Sequence, residues 1–109
     1  MADTNFDAIF GALAHPTRRA ILVRLRRGPA SVSELCAPFQ VSQQAISKQI
    51  AVLRKAGLVT QVKHGRESQC LLCSTPLEQA DQWLQFYRPL WNERFDQLAD
   101  YLARPTNDG

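Results

Sequence analysis

The sequence has three cysteines, an odd and modest number, which argues against a secreted disulfide scaffold. No apolar run approaches the ~20 residues that a membrane-spanning helix requires. The first residues, Met1-Ala2-Asp3-Thr4, are acidic and polar and carry no signal-peptide pattern, so a cytoplasmic protein is expected. Glycine is scarce too. The five glycines fall at turns, a helix end, the terminus and inside the first helix at Gly11, and none forms a phosphate-binding loop. Without a Ser/His/Asp set or a paired-carboxylate cleft, no enzyme is expected. There are no internal repeats and no low-complexity segments.

Acid is also nearly absent from the first part of the chain. Residues 1–66 hold ten Lys/Arg against three acids, a net +7, whereas residues 67–109 hold three against seven, a net −4. A basic half beside an acidic half points to one surface that faces a polyanion and a second region with another task. At 109 residues and 45% hydrophobic composition the chain is one domain, 1–109, with a core small enough that self-association would help it.

The pattern organises around Ser31 to Val59, SVSELCAPFQVSQQAISKQIAVLRKAGLV. A short helix capped by Ser31 or Ser33 and ended by Pro38 is followed by a turn, with Val41 as its apolar plug. A second helix starts at Ser42, whose hydroxyl suits an N-cap. Ile46, Ile50 and Leu53 share its inner face. Gln43, Gln44, Ser47, Lys48, Ala51 and Lys55 share the outer one, which contains no acid. Amides, hydroxyls and cations match base edges and phosphates. Gly57 terminates the helix.

Upstream, Phe6, Ile9, Phe10 and Leu13 mark a helix over 5–13, and His15-Pro16 breaks it. Thr17 to Arg27 forms the next, decorated by Arg18, Arg19, Arg24, Arg26 and Arg27. Downstream, residues 59–72 read as two strands joined at His64-Gly65-Arg66, a hairpin wing with Arg66 at its tip. A long helix then starts at Thr75-Pro76, with Thr75 as its cap. Its positions Leu77, Ala80, Leu84, Tyr87, Trp91, Phe95 (or Arg94), Leu98 and Leu102 recur about every 3.5 residues, as in a seam against a partner helix. Pro89 predicts a kink or break near 85–89, and the tail from Arg104 is expected to fray.

The stretch Ser42 to Val59 follows Ser-x-x-Ala-aliphatic-Ser-Lys-x-aliphatic-x-x-Leu-x-x-Ala-Gly-Leu-Val. It resembles the recognition helix of the arsenic-repressor (ArsR-type) winged helix-turn-helix transcription factors. The resemblance extends to LAHPTRRAILVRL (13–25), to Gly65-Arg66 and to Thr75-Pro76-Leu77, roughly residues 6–102 in all. It implies a mainly α fold with a small β-hairpin, in the order α-α-α-α-β-β-α. It also implies a homodimeric repressor on double-stranded DNA, released by a signal.

On this reading helix 42–56 enters the major groove and wing 59–72 lies beside it. Gln43, Gln44 and Ser47 reach base edges, Lys48 reaches guanine or a phosphate, Arg66 reaches a minor groove, and Lys55, Arg18 and Arg19 reach phosphates. A dimer built on the N- and C-terminal helices, through Phe6, Phe10, Leu84, Tyr87, Trp91 and Leu98, would read an inverted repeat. The effector is open. The family's third-helix Cys-x-Cys pair is represented by Cys36 alone, with Pro38 at the second position, and the last helix has no histidine for the family's other metal site. No cofactor or metal is therefore expected. Cys36, Cys70 and Cys73, with His15 and His64, are the soft or nitrogen donors that remain. Cys70-Leu-Leu-Cys73 has Cys-x-x-Cys spacing, but on a strand residues three apart face opposite sides. Two alternatives stay open: a thiol- or metal-responsive repressor using those cysteines, and a winged-helix module that binds protein instead of DNA.

Overall fold

The computed structural model describes residues 5–103, the side chains of residues 91 and 92 excepted. Helix α1 (Phe6–Leu13) is capped by Asn5, whose side chain accepts from the Ala8 N–H. The α1–α2 junction is made by His15: its Nδ1 accepts from Thr17 N–H at 3.2 Å, and Pro16 opens α2 (Pro16–Leu25), where a missing donor costs nothing. His15 thus serves a local hydrogen bond at this junction.

A two-residue strand, β1 (Ala30–Ser31), leads into α3 (Val32–Cys36). Of the two candidate caps, Ser31 is the one used. Its Oγ accepts from Glu34 N–H while Glu34 Oε1 accepts from Ser31 N–H, a complete capping box. A 3-10 turn, Ala37–Phe39, contains Pro38 and ends at Gln40 in the left-handed region, φ +54°. Here the expectation for Val41 fails: Val41 is exposed, and half-buried Phe39 packs against the core in its place. The left-handed Gln40 turns the chain so that the ring faces inward and the next apolar side chain faces out.

The second helix of the pair, α4 (Gln43–Lys55), has Ser42 as N-cap, with Oγ accepting from Ala45 N–H at 3.1 Å. Its far end is a Schellman motif: Leu58 N–H donates to Leu53 O and Gly57 N–H to Arg54 O. Gly57 takes φ +78°, as that motif demands. Strands β2 (Val59–His64) and β3 (Glu67–Leu72) pair antiparallel, with Gln61 opposite Cys70 and His64 opposite Glu67. The two-residue turn between them places Gly65 at φ +67° in the first position, as a type II′ hairpin prefers. The hairpin gains a third strand that the pattern does not announce. Ala30 pairs with Cys70 and Ser31 with Gln69, giving the sheet order β1-β3-β2.

The last helix of the sequence reading is two helices, α5 (Thr75–Gln85) and α6 (Arg88–Ala103). The break at Phe86-Tyr87 falls where Pro89 predicts it, and Pro89 lies in the first turn of α6, where no intrahelical donor is needed. Ser74, not Thr75, is the N-cap, and it makes no side-chain cap bond. The tail from Arg104 lies outside the described residues. The architecture is thus mainly helical with a small antiparallel sheet, the winged helix-turn-helix arrangement.

The core gathers Ile21, Leu22 and Leu25 of α2, Leu35 of α3, Ile46, Ile50 and Leu53 of α4, and Leu58, Val59 and Cys70 of the wing base. Burying each large aliphatic is worth about 1.5–3 kcal/mol. The three α4 residues of this cluster are the ones read as its inner face, so packing fixes which side α4 turns outward.

Candidate nucleic-acid interface

With Ile46, Ile50 and Leu53 buried, the helical period leaves Gln43, Gln44, Ser47, Lys48 and Lys55 exposed. Ala51, on the same side, is half-buried. No acid lies on α4, and Arg54 and Lys55 complement the negative end of its dipole. At the wing tip His64, Gly65 and Arg66 are all exposed.

Three side-chain bridges tie α4 to other elements. At its start, Gln43 Nε2 donates to Ser33 Oγ of α3 at 3.0 Å. At its middle, Gln49 Oε1 accepts from Arg18 of α2 at 2.7 Å. At its end, Arg54 donates to Gln61 Oε1 of β2. The wing and the outer face of α4 are therefore held in one frame.

Two predicted phosphate contacts have other employment. Arg18 Nε donates to Ala12 O at 2.8 Å and its Nη2 to Gly11 O at 3.1 Å. Arg19 Nη1 donates to Leu13 O at 2.8 Å. Both guanidinium groups thus cap the carbonyls at the end of α1, of which Gly11 O also accepts from the Ala14 N–H at 3.2 Å. Sequence reading placed both as surface cations because backbone acceptors on a preceding helix leave no mark in the pattern. It also passed over Gln49 and Gln61, whose partners are long-range.

Phe6 and Phe10 of α1 meet Trp83 of α5 and, through it, Tyr87. Phe6 and Phe10 ring centroids are 6.2 Å apart, Phe10 and Trp83 5.8 Å, and Trp83 and Tyr87 5.2 Å. The predicted seam residues Phe6, Phe10 and Tyr87 are therefore gathered into one aromatic group, with Trp83 as its hub. Leu84 is half-buried, Leu98 is exposed on α6, and the Trp91 side chain lies outside the described residues.

The three cysteines are free thiols. Cys70 is fully buried, and that burial pushes its thiol pKa up, against smaller opposing effects of Gln61 and Arg54. A thiol so placed is a poor nucleophile and a poor soft ligand. Cys36 is half-buried and its Sγ donates to Val41 O at 2.8 Å, bracing the turn before α4. Among the described residues no three His, Cys, Asp or Glu side chains are clustered to hold a metal ion. No helix among them is long and apolar enough to cross a membrane.

Comparison with known proteins agrees with this geometry. A model of a helix-turn-helix domain family matches residues 13–62. The transcriptional regulator NmtR of Mycobacterium tuberculosis is 41% identical over 68 residues, which cover 62% of this chain and 57% of NmtR. The chain thus spans only about half the length of the first curated relatives it matches, and the transcriptional repressor SdpR of Bacillus subtilis is 28% identical over 76 residues, 70% of this chain and 84% of SdpR. The crystal structure of an ArsR family transcriptional regulator is similar with a TM-score of 0.74 at 40% identity, covering 84% of this chain and 97% of that one. The chain belongs to the ArsR family of helix-turn-helix transcriptional regulators.

Proposed function

We propose that the chain is a homodimeric, sequence-specific repressor of transcription that acts in the cytoplasm and reads an inverted repeat in double-stranded DNA. One observation carries this reading: the outer face of α4 is acid-free and exposed, on a helix whose inner face is locked into the core. Gln43 and Gln44 suit adenine edges, Ser47 suits either kind of base edge, and Lys48 suits guanine or a phosphate. Lys55, further along, suits backbone, and Arg66 at the wing tip suits a minor groove. The repressor assignment is carried over from relatives such as SdpR.

Homodimerisation is supported by the aromatic group on α1 and α5 and by the apolar side chains of α6, which face solvent in the single chain. A two-fold dimer presents two α4 helices about one DNA turn apart.

The test is fluorescence anisotropy over a salt series. The probes are a duplex that the protein selects from a random library and a shuffled duplex of the same composition. Preference for the selected duplex is expected, with affinity falling steeply with salt. Lys48→Ala should weaken it by about tenfold. Equal affinity for both duplexes at every salt concentration would overturn the reading and leave a protein-binding module.

A further inference from the structure

Among the bridges that hold α4, the one through Arg18 joins three elements at once. Its guanidinium reaches Gly11 O and Ala12 O at the end of α1 from its own seat on α2, and Gln49 Oε1 in the middle of α4. The three acceptors are met by Nη2, Nε and Nη1 in turn, so the whole planar fork is in use. A lysine offers a single nitrogen and cannot reproduce that fork. The bonds to the α1 carbonyls are reinforced by the negative end of the α1 dipole, and that to Gln49 is charge-assisted.

Helix α1 also carries Phe6 and Phe10, whose rings pack on Trp83. The seat of α1 therefore depends on the aromatic seam at one end and on Arg18 at the other. Gln49 follows Lys48 directly in α4 and lies half-buried, turned toward α2 instead of outward. We infer that Arg18 is a positioning residue: through Gln49 it couples the placement of α1, and with it the aromatic seam, to the angle at which α4 presents Ser47 and Lys48. This rests on the DNA-binding reading and names the device that would pass a change at the seam to the recognition helix.

The alternative for Arg18 is a direct phosphate contact, and the two roles separate by salt dependence. Losing a phosphate contact lowers the salt slope by about one and weakens binding to all sequences alike. Losing a positioning bond lowers the preference for the selected duplex and leaves the slope unchanged.

The experiment compares Arg18→Ala, Gln49→Ala and the double variant in anisotropy, with the selected and the shuffled duplex. Each single variant should lose about five- to tenfold on the selected duplex, and the double variant should lose no more than Arg18→Ala alone, because the bond that Gln49→Ala removes is already gone in it. Affinity for the shuffled duplex and the salt slope should hold. A drop in slope for Arg18→Ala, or additive losses, overturns the inference.

Gln49→Ala leaves both Arg18–carbonyl bonds in place and keeps the test alive if Arg18→Ala fails to fold. Amide hydrogen exchange over residues 43–50 then reads positioning without DNA. Faster exchange in Gln49→Ala than in the wild type supports the inference, and equal exchange overturns it. If the wild type itself prefers neither duplex, the DNA-binding reading fails and this exchange comparison alone decides the role of Arg18.

Discussion

Glu34 is exposed, yet its carboxyl gives up its proton more readily than an ordinary glutamic acid. The largest cause is the backbone N–H of Ser31, followed by the Ser31 side chain, with a further contribution from the charge of Arg24. Arg24 Nη2 lies 3.5 Å from the carboxylate. A pKa held below its unfolded value means that ionised Glu34 stabilises the fold at neutral pH. That contribution is lost as pH falls through the folded-state pKa. Glu34→Gln can still accept from Ser31 N–H but carries no charge. Its melting temperature should therefore lie below that of the wild type at neutral pH, and the gap should close as the solution is acidified beneath the normal glutamate range. Thermal melts of both proteins across that range check it, and a gap independent of pH would refute it. The same residue scale shows where sequence reading stops. The N-cap is local, and its serine was legible up to a choice of two, whereas the reciprocal bond from Ser31 N–H to Glu34 was not read. The partners of Arg18 lie six, seven and thirty-one residues away and were not.

At the scale of elements, the helix-turn-helix pair was legible because each signal is short-range. Ser42 caps α4, the Ile46/Ile50/Leu53 stripe fixes its inner face, and Gly57 ends it. Pro89 likewise marked the break between α5 and α6. Strand β1 was not legible, since two residues show no alternation and their ladder to Cys70 and Gln69 closes across about forty residues of chain. The Val41 expectation failed for a similar reason: a single left-handed residue, Gln40, decides which apolar side chain turns inward, and glutamine does not advertise that conformation. Ser42 offers a way to separate the stability of α4 from its chemistry. Ser42→Ala removes the bond to Ala45 N–H and should cost about 1 kcal/mol. Ser42→Asp keeps an acceptor and adds a charge that suits a helix N-terminus. Urea unfolding should therefore rank Ser42→Asp at or above the wild type and Ser42→Ala below it. On DNA the order changes, because an anion beside Gln43 and Gln44 repels phosphates: Ser42→Asp should be the weakest binder of the three. If Ser42→Asp bound the selected duplex as well as the wild type, α4's first turn would not face the polyanion.

For the molecule as a whole, α6 is the part that a single chain does not explain. Its packing within the chain is against α5. On α6 Phe95 is 67% exposed, Leu98 51%, Tyr101 71% and Leu102 72%, a run of side chains that recurs at helical spacing. Apolar surface of that extent on one projecting helix calls for a cover. A second copy supplies it by symmetry, since a two-fold interface uses the same patch on both sides. Carboxylates at Phe95 and Leu98 would face each other across such a seam and desolvate there. The double variant Phe95→Glu/Leu98→Glu should therefore elute with the mass of one chain in light-scattering chromatography, where the wild type elutes with the mass of two. Because none of the described side chains of α6 enters the core cluster of α2, α3, α4 and the wing, the far-ultraviolet circular dichroism and the melt of that domain should survive. Specific DNA affinity should fall by about 100-fold or more, the loss expected when two half-site contacts are no longer joined, while affinity for the shuffled duplex falls far less. A variant that stayed dimeric would move the interface away from α6, and a wild type of single-chain mass would remove the inverted repeat from the proposed operator.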